Sequence, residues 1–404
     1  MNTQHFDIII IGGGLVGMTL AHTLIGQGLQ IALIDAKGLP TAQNQDGRAI
    51  ALSYASQQIL STLNIWKNIE EHATPINAVH ISRKGMFAKT HLHAGDLQLS
   101  ALGAVVPAAL LAATIAEPLT TTVADLKIIA PATVESVEIK EKIAQVKLQQ
   151  NGQANTLSAR LVIAADGSQS RVAEQLGIYQ QTHVYQQMAI VSTLTTDELN
   201  GGNAYERFTE HGVIALLPLR ENQFGVVWST TKEQAEKLLA LTTEQYCAEL
   251  QNQMGRYLGK TLSMNERFSY PLTAVSANER IRPRFVLLGN AAHTVHPVAA
   301  QGLNLALRSV AWLAEVLVEA KGDIGDLSVL KIYKQRTEGD LQQTQTAMHG
   351  LAELTTQITA KPLWSLGLTA LDRIPVLKRA FMRRTTGLAG RQAKLIRGVK
   401  LHEL

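Results

Sequence analysis

A chain of 404 residues in which 46% of side chains are hydrophobic and 17% charged can bury a large core, and its length suggests two or three lobes. The composition excludes a disordered chain. The one cysteine, Cys247, excludes an intrachain disulfide and a cysteine-built metal site, so a reducing, cytoplasmic setting is expected. The net charge of +4 is uneven: residues 361–404 hold ten Lys/Arg against Asp372 and Glu403, a local +8 that leaves −4 on the rest.

Residues 6–11 are a short apolar run rich in β-branched side chains, as in a strand buried on both faces. This run starts so early that no signal or transit peptide is expected. Gly12, Gly14 and Gly17 follow at G-x-G-x-x-G spacing. Leu15, Met18, Ala21, His22 and Ile25 then recur near a 3.6-residue period, so a helix opens inside the glycine loop. Residues 29–34 make a second apolar strand ending in Asp35, 23 positions after Gly12. Strand, tight turn and helix N-terminus together form an anion site. The first glycine permits the turn, the second lets backbone approach a pyrophosphate, and the third allows close helix–strand packing. Asp35 is placed to accept hydrogen bonds from an adenosine ribose.

A polar loop over 36–47 leads to Arg48, a helix over 56–63 and a strand over 76–82. Exposed β structure follows over 84–93, where alternation puts His91 and His93 on one strand face. A metal needs further ligands than that pair, none lie nearby, and no metal site is expected. The uncharged run 97–116 is long enough to suggest a membrane span. Pro107 interrupts it, and Gln98, Ser100 and Thr114 are polar, so it reads as a strand, a break at Pro107 and a buried helix. Residues 134–147 alternate apolar and polar, Asn151-Gly152 is a strong hairpin turn, and 157–165 return as a buried strand into Asp166-Gly167. From 177 to 272 the texture is β-rich, with strands over 188–194, 213–219 and 224–230 and a helical insert over 232–254. The nucleotide-domain pattern resumes at 284–289. A long helix follows over 302–320, and further helices run from 327 to the end.

One glycine loop does not separate NAD from FAD, but two later stretches do. Residues 161–171 (LVIAADGSQSR) end a strand in Asp166-Gly167. Residues 285–297 (FVLLGNAAHTVHP) end another in a turn, and 298–304 (VAAQGLN) lead into a helix. With the glycine loop, these resemble the three fingerprints of the FAD-dependent aromatic-ring hydroxylases, the single-component flavin monooxygenases. Residues 46–52 (DGRAIAL), 205–212 (YERFTEHG) with Leu217-Pro218, and 289–304 are similar to the ubiquinone-biosynthesis hydroxylases, those acting on 2-octaprenyl-6-methoxyphenol above all. The likeness runs from residue 6 to about residue 395.

That resemblance implies an α/β fold: a Rossmann-like FAD-binding domain of aromatic-hydroxylase type, an interleaved β-rich substrate domain and a helical C-terminus. The FAD-binding domain would comprise 1–75, 101–177 and 273–340, the substrate domain 76–100 and 178–272, and the C-terminal helical segment 341–404. Gly12, Gly14 and Gly17 would cradle the FAD pyrophosphate and Asp35 its ribose. Arg48 would reach the phosphates or flavin, Val134 the adenine, and Asp166-Gly167 the phosphates. Gly289 and Asn290 would meet the ribityl chain, and Pro297 the reactive flavin edge. Gly302, Leu303 and Asn304 would offer backbone N–H groups to the pyrimidine end, where negative charge builds on reduction. Most of the superfamily has Asp where this chain has Asn290, which keeps hydrogen-bonding capacity and removes a charge.

The implied reaction is NAD(P)H- and O2-dependent hydroxylation of a polyprenylated phenol through a flavin C4a-hydroperoxide, in a dry pocket. Rival readings are the same chemistry at another ring position or on an unprenylated aromatic, a non-oxygenating flavin reductase, and an assembly subunit that retains FAD. Tyr205, Arg207 and His211 are pocket candidates, and no catalytic base is assigned. His293 and His296 form an H-x-x-H pair that reads as loop packing or flavin-site lining. The basic C-terminal segment alternates aliphatic residues with Lys/Arg. It reads as a solvated helix face, or as a surface for anionic lipid on the inner membrane face or for an acidic partner, other ubiquinone-biosynthesis proteins included. No nucleic-acid module accompanies the charge.

Overall fold

The computed structural model describes residues 4–41, 48–121, 123–294, 300–356 and 361–402. The first part of the chain gives β1 (Gln4–Ile11), α1 (Leu15–Leu24), β2 (Ile31–Ile34), β3 (Ala49–Ser53), α2 (Tyr54–Thr62), β4 (Thr74–Pro75), β5 (Ala78–Arg83) and β6 (Lys89–His93). Next come β7 (Gly103–Pro107), α3 (Ala108–Thr120), β8 (Leu126–Ile129), β9 (Thr133–Ile139), β10 (Ala144–Gln150), β11 (Gln153–Ala164) and α4 (Arg171–Gln175). The middle holds β12 (Gln180–Thr196), β13 (Asn203–Phe208), β14 (Gly212–Pro218), β15 (Gln223–Thr231), α5 (Lys232–Ala240), α6 (Thr243–Met254), β16 (Thr261–Met264) and β17 (Phe268–Ala277). The last part is β18 (Ile281–Arg282), β19 (Phe285–Leu287), α7 (Gln301–Glu319), α8 (Leu327–Thr356), α9 (Lys361–Arg373) and α10 (Pro375–Thr385).

The nucleotide sheet runs β19-β11-β1-β2-β8, all parallel, with antiparallel β18 outside β19 and the β9–β10 hairpin attached to β11. β1 is apolar throughout its second half because both its faces are covered. Ile8 and Ile10 pack toward α1, α3 and α7, while Ile9 and Ile11 face the side closed by β9 and β10. The chain winds one way from β1 through β2 to β8 and the other way through β11 to β19. The crevice between the carboxyl ends of β1 and β11 is therefore the topological switch point, where open α/β sheets bind ligands.

A second sheet runs β16-β12-β15-β14-β13-β5-β6, with β17 also on β12; only the β13–β5 pair is parallel. One of its faces is covered by α5 and α6 through Trp228, Tyr246 and Leu250. Toward the other face lies the small sheet β3-β7-β4, which joins the two lobes. Ala49, Ala51 and Val105 pack against the second sheet, while Leu52, Ala104 and Val106 belong to the nucleotide core. α9 closes the β6 edge: the Thr90 hydroxyl donates to the Leu368 carbonyl at 2.9 Å, and the His91 N–H donates to Asp372 at 3.1 Å.

Three local expectations are refined. The alternating run 134–147 divides into β9 and β10 at a turn closed by the Lys140 N–H on the Ile143 carbonyl at 2.9 Å. The helical insert is two helices, because Thr242 caps α6. Its hydroxyl accepts from Gln245 N–H at 3.3 Å, and the Gln245 side chain accepts from Thr242 N–H at 3.1 Å. Past Thr385 the described chain is no longer α-helical. Ala393, Leu395 and Ile396 are buried against α2 and α7, and Lys394 N–H donates to Glu315 at 2.6 Å, so part of the basic C-terminal stretch belongs to the core.

Candidate active site

At the switch point the glycine turn is set by contact. A Cβ on Gly12 would collide with the Ala165 carbonyl at the end of β11, and Gly12 takes φ +113°. A Cβ on Gly17 would collide with the Gly12 carbonyl, so this glycine lets α1 sit directly on the turn. Gly14 is different: nothing lies within 4 Å of a Cβ placed there, so its open side faces a space the protein leaves clear. Asp35 receives the Gly13 N–H at 2.7 Å and the Lys37 N–H at 2.8 Å, which fixes its carboxylate beside the turn. Each carboxylate oxygen retains capacity for a second donor. Gly12, Asp35, Val134, Asp166 and Arg171 line one cavity of about 320 Å³.

A larger cavity, about 510 Å³, lies between the small sheet, the second sheet, the start of α7 and α10. Arg48, Asn290, Gly302, Leu303 and Asn304 line it. The loop that carries Asn290 is held from both sides. Gly289, at φ +62°, lets the backbone approach the Val16 side chain, where a Cβ would stand 3.1 Å away. On the other side Thr294 N–H donates to the Val275 carbonyl at 2.7 Å, and Gln180 donates to the Ala291 carbonyl at 2.8 Å. Pro297 and His296 lie outside the described residues.

Asn304 is a structural hub. Its carbonyl oxygen accepts from Ser53 N–H at 2.8 Å and from the Ser56 hydroxyl at 2.7 Å; its amide donates to the Ala51 carbonyl at 3.0 Å and the Ala300 carbonyl at 2.7 Å. The side chain thus ties β3 and α2 to the first turn of α7. The N–H groups of Gly302 and Leu303 belong to that first turn, which lacks intrahelical acceptors.

The register of the second sheet decides which side chains reach the larger cavity. Glu206 pairs with Ala215 and Ile81, and Ala215 pairs with Val227, so these share a face with Val79, Leu92, Ala204 and Leu217, all of which line the cavity. Tyr205, one residue away, must point to the opposite face. Its ring lies 5.8 Å from His80 and 6.1 Å from Tyr257, under α5 and α6. Arg207 shares that face, donating to the Gln253 carbonyl at 3.2 Å and stacking over Tyr257 at 5.4 Å. His211 sits at the β13–β14 turn and borders a separate 270 Å³ cavity with Arg83 and Gln253. Of the three pocket candidates only Tyr205 borders the larger cavity, with its ring turned away. The residue that sequence reasoning passed over is Glu206, a carboxylate on an otherwise aliphatic wall.

A sequence model described as "FAD binding domain" matches residues 5–346. The chain is 35% identical to "Ubiquinone hydroxylase UbiL" of Rhodospirillum rubrum over 98% of this chain and 93% of that one. The chain belongs to the FAD-dependent hydroxylases of ubiquinone biosynthesis. This hydroxylase is also 30% identical to the "3-demethoxyubiquinol 3-hydroxylase" of Escherichia coli, over 96% of this chain and 100% of that one. Among solved structures, p-nitrophenol 4-monooxygenase PnpA from Pseudomonas putida matches 97% of this chain and 100% of its own with a TM-score of 0.78 at 16% identity, which shows a shared fold.

The residues present fit FAD. The open side of Gly14 leaves room for a pyrophosphate against backbone N–H groups. Asp166 donates nothing and accepts from Val172 N–H at 3.3 Å through one oxygen. Its other oxygen is buried without a partner among the described residues, an acceptor waiting for a ligand hydroxyl. Within the third loop of the hydroxylase, His293 is buried and its ring nitrogens have no hydrogen-bond partner among the described residues. Burial, aided by the positive charge of Arg280 and Arg308, pushes its pKa down to about 3, so the imidazole is neutral. Among the described residues no helix is long and apolar enough to cross a membrane.

Proposed function

We propose that this hydroxylase adds one hydroxyl group to the ring of a polyprenylated phenol in ubiquinone biosynthesis, using NAD(P)H and O2. One oxygen atom of O2 enters a ring C–H bond and the other leaves as water, with NAD(P)H and a proton supplying the reducing equivalents. Bound FAD supplies the chemistry of accepting those electrons and activating O2. Gly12, Gly14 and Gly17 hold its pyrophosphate, Asp35 and Val134 its adenosine, and Asp166 and Gly167 the middle of the molecule. Arg48, Gly289 and Asn290 reach the flavin side. The backbone of Gly302, Leu303 and Asn304 meets the pyrimidine end, where a helix N-terminus favours negative charge.

The observation that carries the reading is the larger cavity: about 510 Å³, walled by aliphatic side chains from five strands of the second sheet and crossed by one carboxylate, Glu206. Such a wall keeps water from the reacting centre and suits a greasy aromatic. Glu206 accepts the hydrogen of the phenol hydroxyl, which raises electron density on the ring and fixes the face presented to the flavin. A cavity of this size holds one compact molecule, so a long isoprenoid tail must run out of it.

Deleting the gene and identifying the accumulating quinone precursor tests this reading. A prenylated phenol lacking one ring hydroxyl is expected. Accumulation of an unprenylated aromatic, or unchanged quinone synthesis, would refute it.

A further inference from the structure

The helix that closes the larger cavity has a second face. On α10, Phe381, Met382 and Thr385 turn inward and line the cavity. A helical period places Val376, Arg379, Ala380 and Arg383 on the opposite side, flanked by Leu377. The exposures agree: Val376 is 76% exposed and Leu377 48%, while Met382 is buried. The corner between α9 and α10 adds Ile374 at 44%, with Arg373 exposed beside it, and Leu366 within α9 is 69% exposed. Exposed aliphatic tips are thus interleaved with exposed arginines on two consecutive helices. The corner is held in place from behind: Lys378 pairs with Asp96 at 3.1 Å, and His91 N–H donates to Asp372 at 3.1 Å.

A protein surface gains nothing in water from four protruding aliphatic side chains, and arginines around them disfavour an apolar protein partner. An anionic bilayer satisfies both features at once. Aliphatic tips enter the acyl boundary while guanidinium groups stay at the phosphates. We propose that the α9–α10 corner seats this protein on an anionic lipid surface, with the cavity directly behind α10, so that a lipid-tailed phenol enters without leaving the membrane. The proposal rests on the hydroxylase reading for its substrate, but lipid binding by the corner stands apart from it. Each basic residue held near an anionic surface contributes about fivefold to partitioning, so reversing two arginines should cost well over tenfold.

The test uses the full FAD-loaded chain with phosphatidylcholine vesicles made with and without phosphatidylglycerol. The parent is expected to sediment with the anionic vesicles and to be released by salt. Val376→Glu/Leu377→Glu and Arg379→Glu/Arg383→Glu should each abolish sedimentation. Both variants should keep the parent's flavin spectrum and its turnover of a short-tailed, water-soluble prenyl phenol. Equal sedimentation with neutral and anionic vesicles, or undiminished sedimentation of both variants, overturns the proposal. So does a concentration-dependent dimer of the parent that the same substitutions dissolve, because the corner would then be covered by a second copy. A parent that binds anionic vesicles but turns over no prenyl phenol would instead refute the hydroxylase reading and leave the docking surface standing.

Discussion

Replacing Asn304 by Asp probes the joint between the two lobes with a change of one atom. The parent amide donates to the Ala51 and Ala300 carbonyls at 3.0 and 2.7 Å while its oxygen accepts from Ser53 N–H and the Ser56 hydroxyl. In Asn304→Asp the accepting half survives, but the donating half becomes an oxygen facing two carbonyl oxygens in a site where the side chain is 2% exposed. Two buried acceptors lose their donors at about 1–3 kcal/mol each, and a buried negative charge adds to that, so a loss of at least about 3 kcal/mol is expected. Protonation returns one donor. The variant's carboxyl is therefore pushed above the usual carboxylate range in the folded state. The folded variant then binds more protons than the unfolded one, and its stability deficit relative to the parent shrinks as pH falls. Urea unfolding followed by tryptophan fluorescence gives the deficit, and flavin fluorescence gives the fraction of FAD retained. A variant as stable as the parent at neutral pH, or a deficit that does not shrink on acidification, would refute the reasoning.

The glycines separate fold from ligand: Gly17→Ala should destabilise the apoprotein by driving a Cβ into the Gly12 carbonyl, whereas Gly14→Ala should fold normally and lose FAD affinity about tenfold or more, read by flavin titration. The neutral His293, with its pKa near 3, makes stability pH-dependent. Only the unfolded chain takes up its proton below about pH 6.5, so the stability present above that value falls by about 1.4 kcal/mol per pH unit on acidification, and His293→Phe should flatten the slope in urea unfolding. His80, depressed to about 4 by burial and by His91, acts with the same sign. Glu206→Gln should slow phenol hydroxylation about tenfold to a hundredfold while leaving FAD binding intact, and Tyr205→Phe should change it less than about twofold, measured as product per NAD(P)H consumed.

The βαβ unit was legible because its determinants are local. Gly12 meets Gly17 and Gly13 meets Asp35 within 30 residues, and the geometry each imposes follows from spacing. The third loop was legible as a segment, but the role of the Asn304 side chain was not, since its partners Ala51, Ser53 and Ser56 lie about 250 positions away. Tyr205, Arg207 and His211 were chosen for their chemistry, yet a strand's period of two puts Tyr205 and Arg207 on one face and Glu206 on the other. Which face meets the cavity depends on where β3 and α10 dock, and no local signal in β13 carries that. At the C-terminus, left-handed turns at Gly387 and Gly390, with φ of +77° and +69°, end the helical run and send Leu395 and Ile396 into the core.

The most direct test is to supply the purified, FAD-loaded protein with NAD(P)H, a prenylated phenol and isotopically heavy O2, and to weigh the product. One heavy oxygen atom in the ring hydroxyl is the predicted result. Consumption of NAD(P)H with no heavy oxygen in the phenol, or a protein that stays colourless in excess FAD, would contradict it.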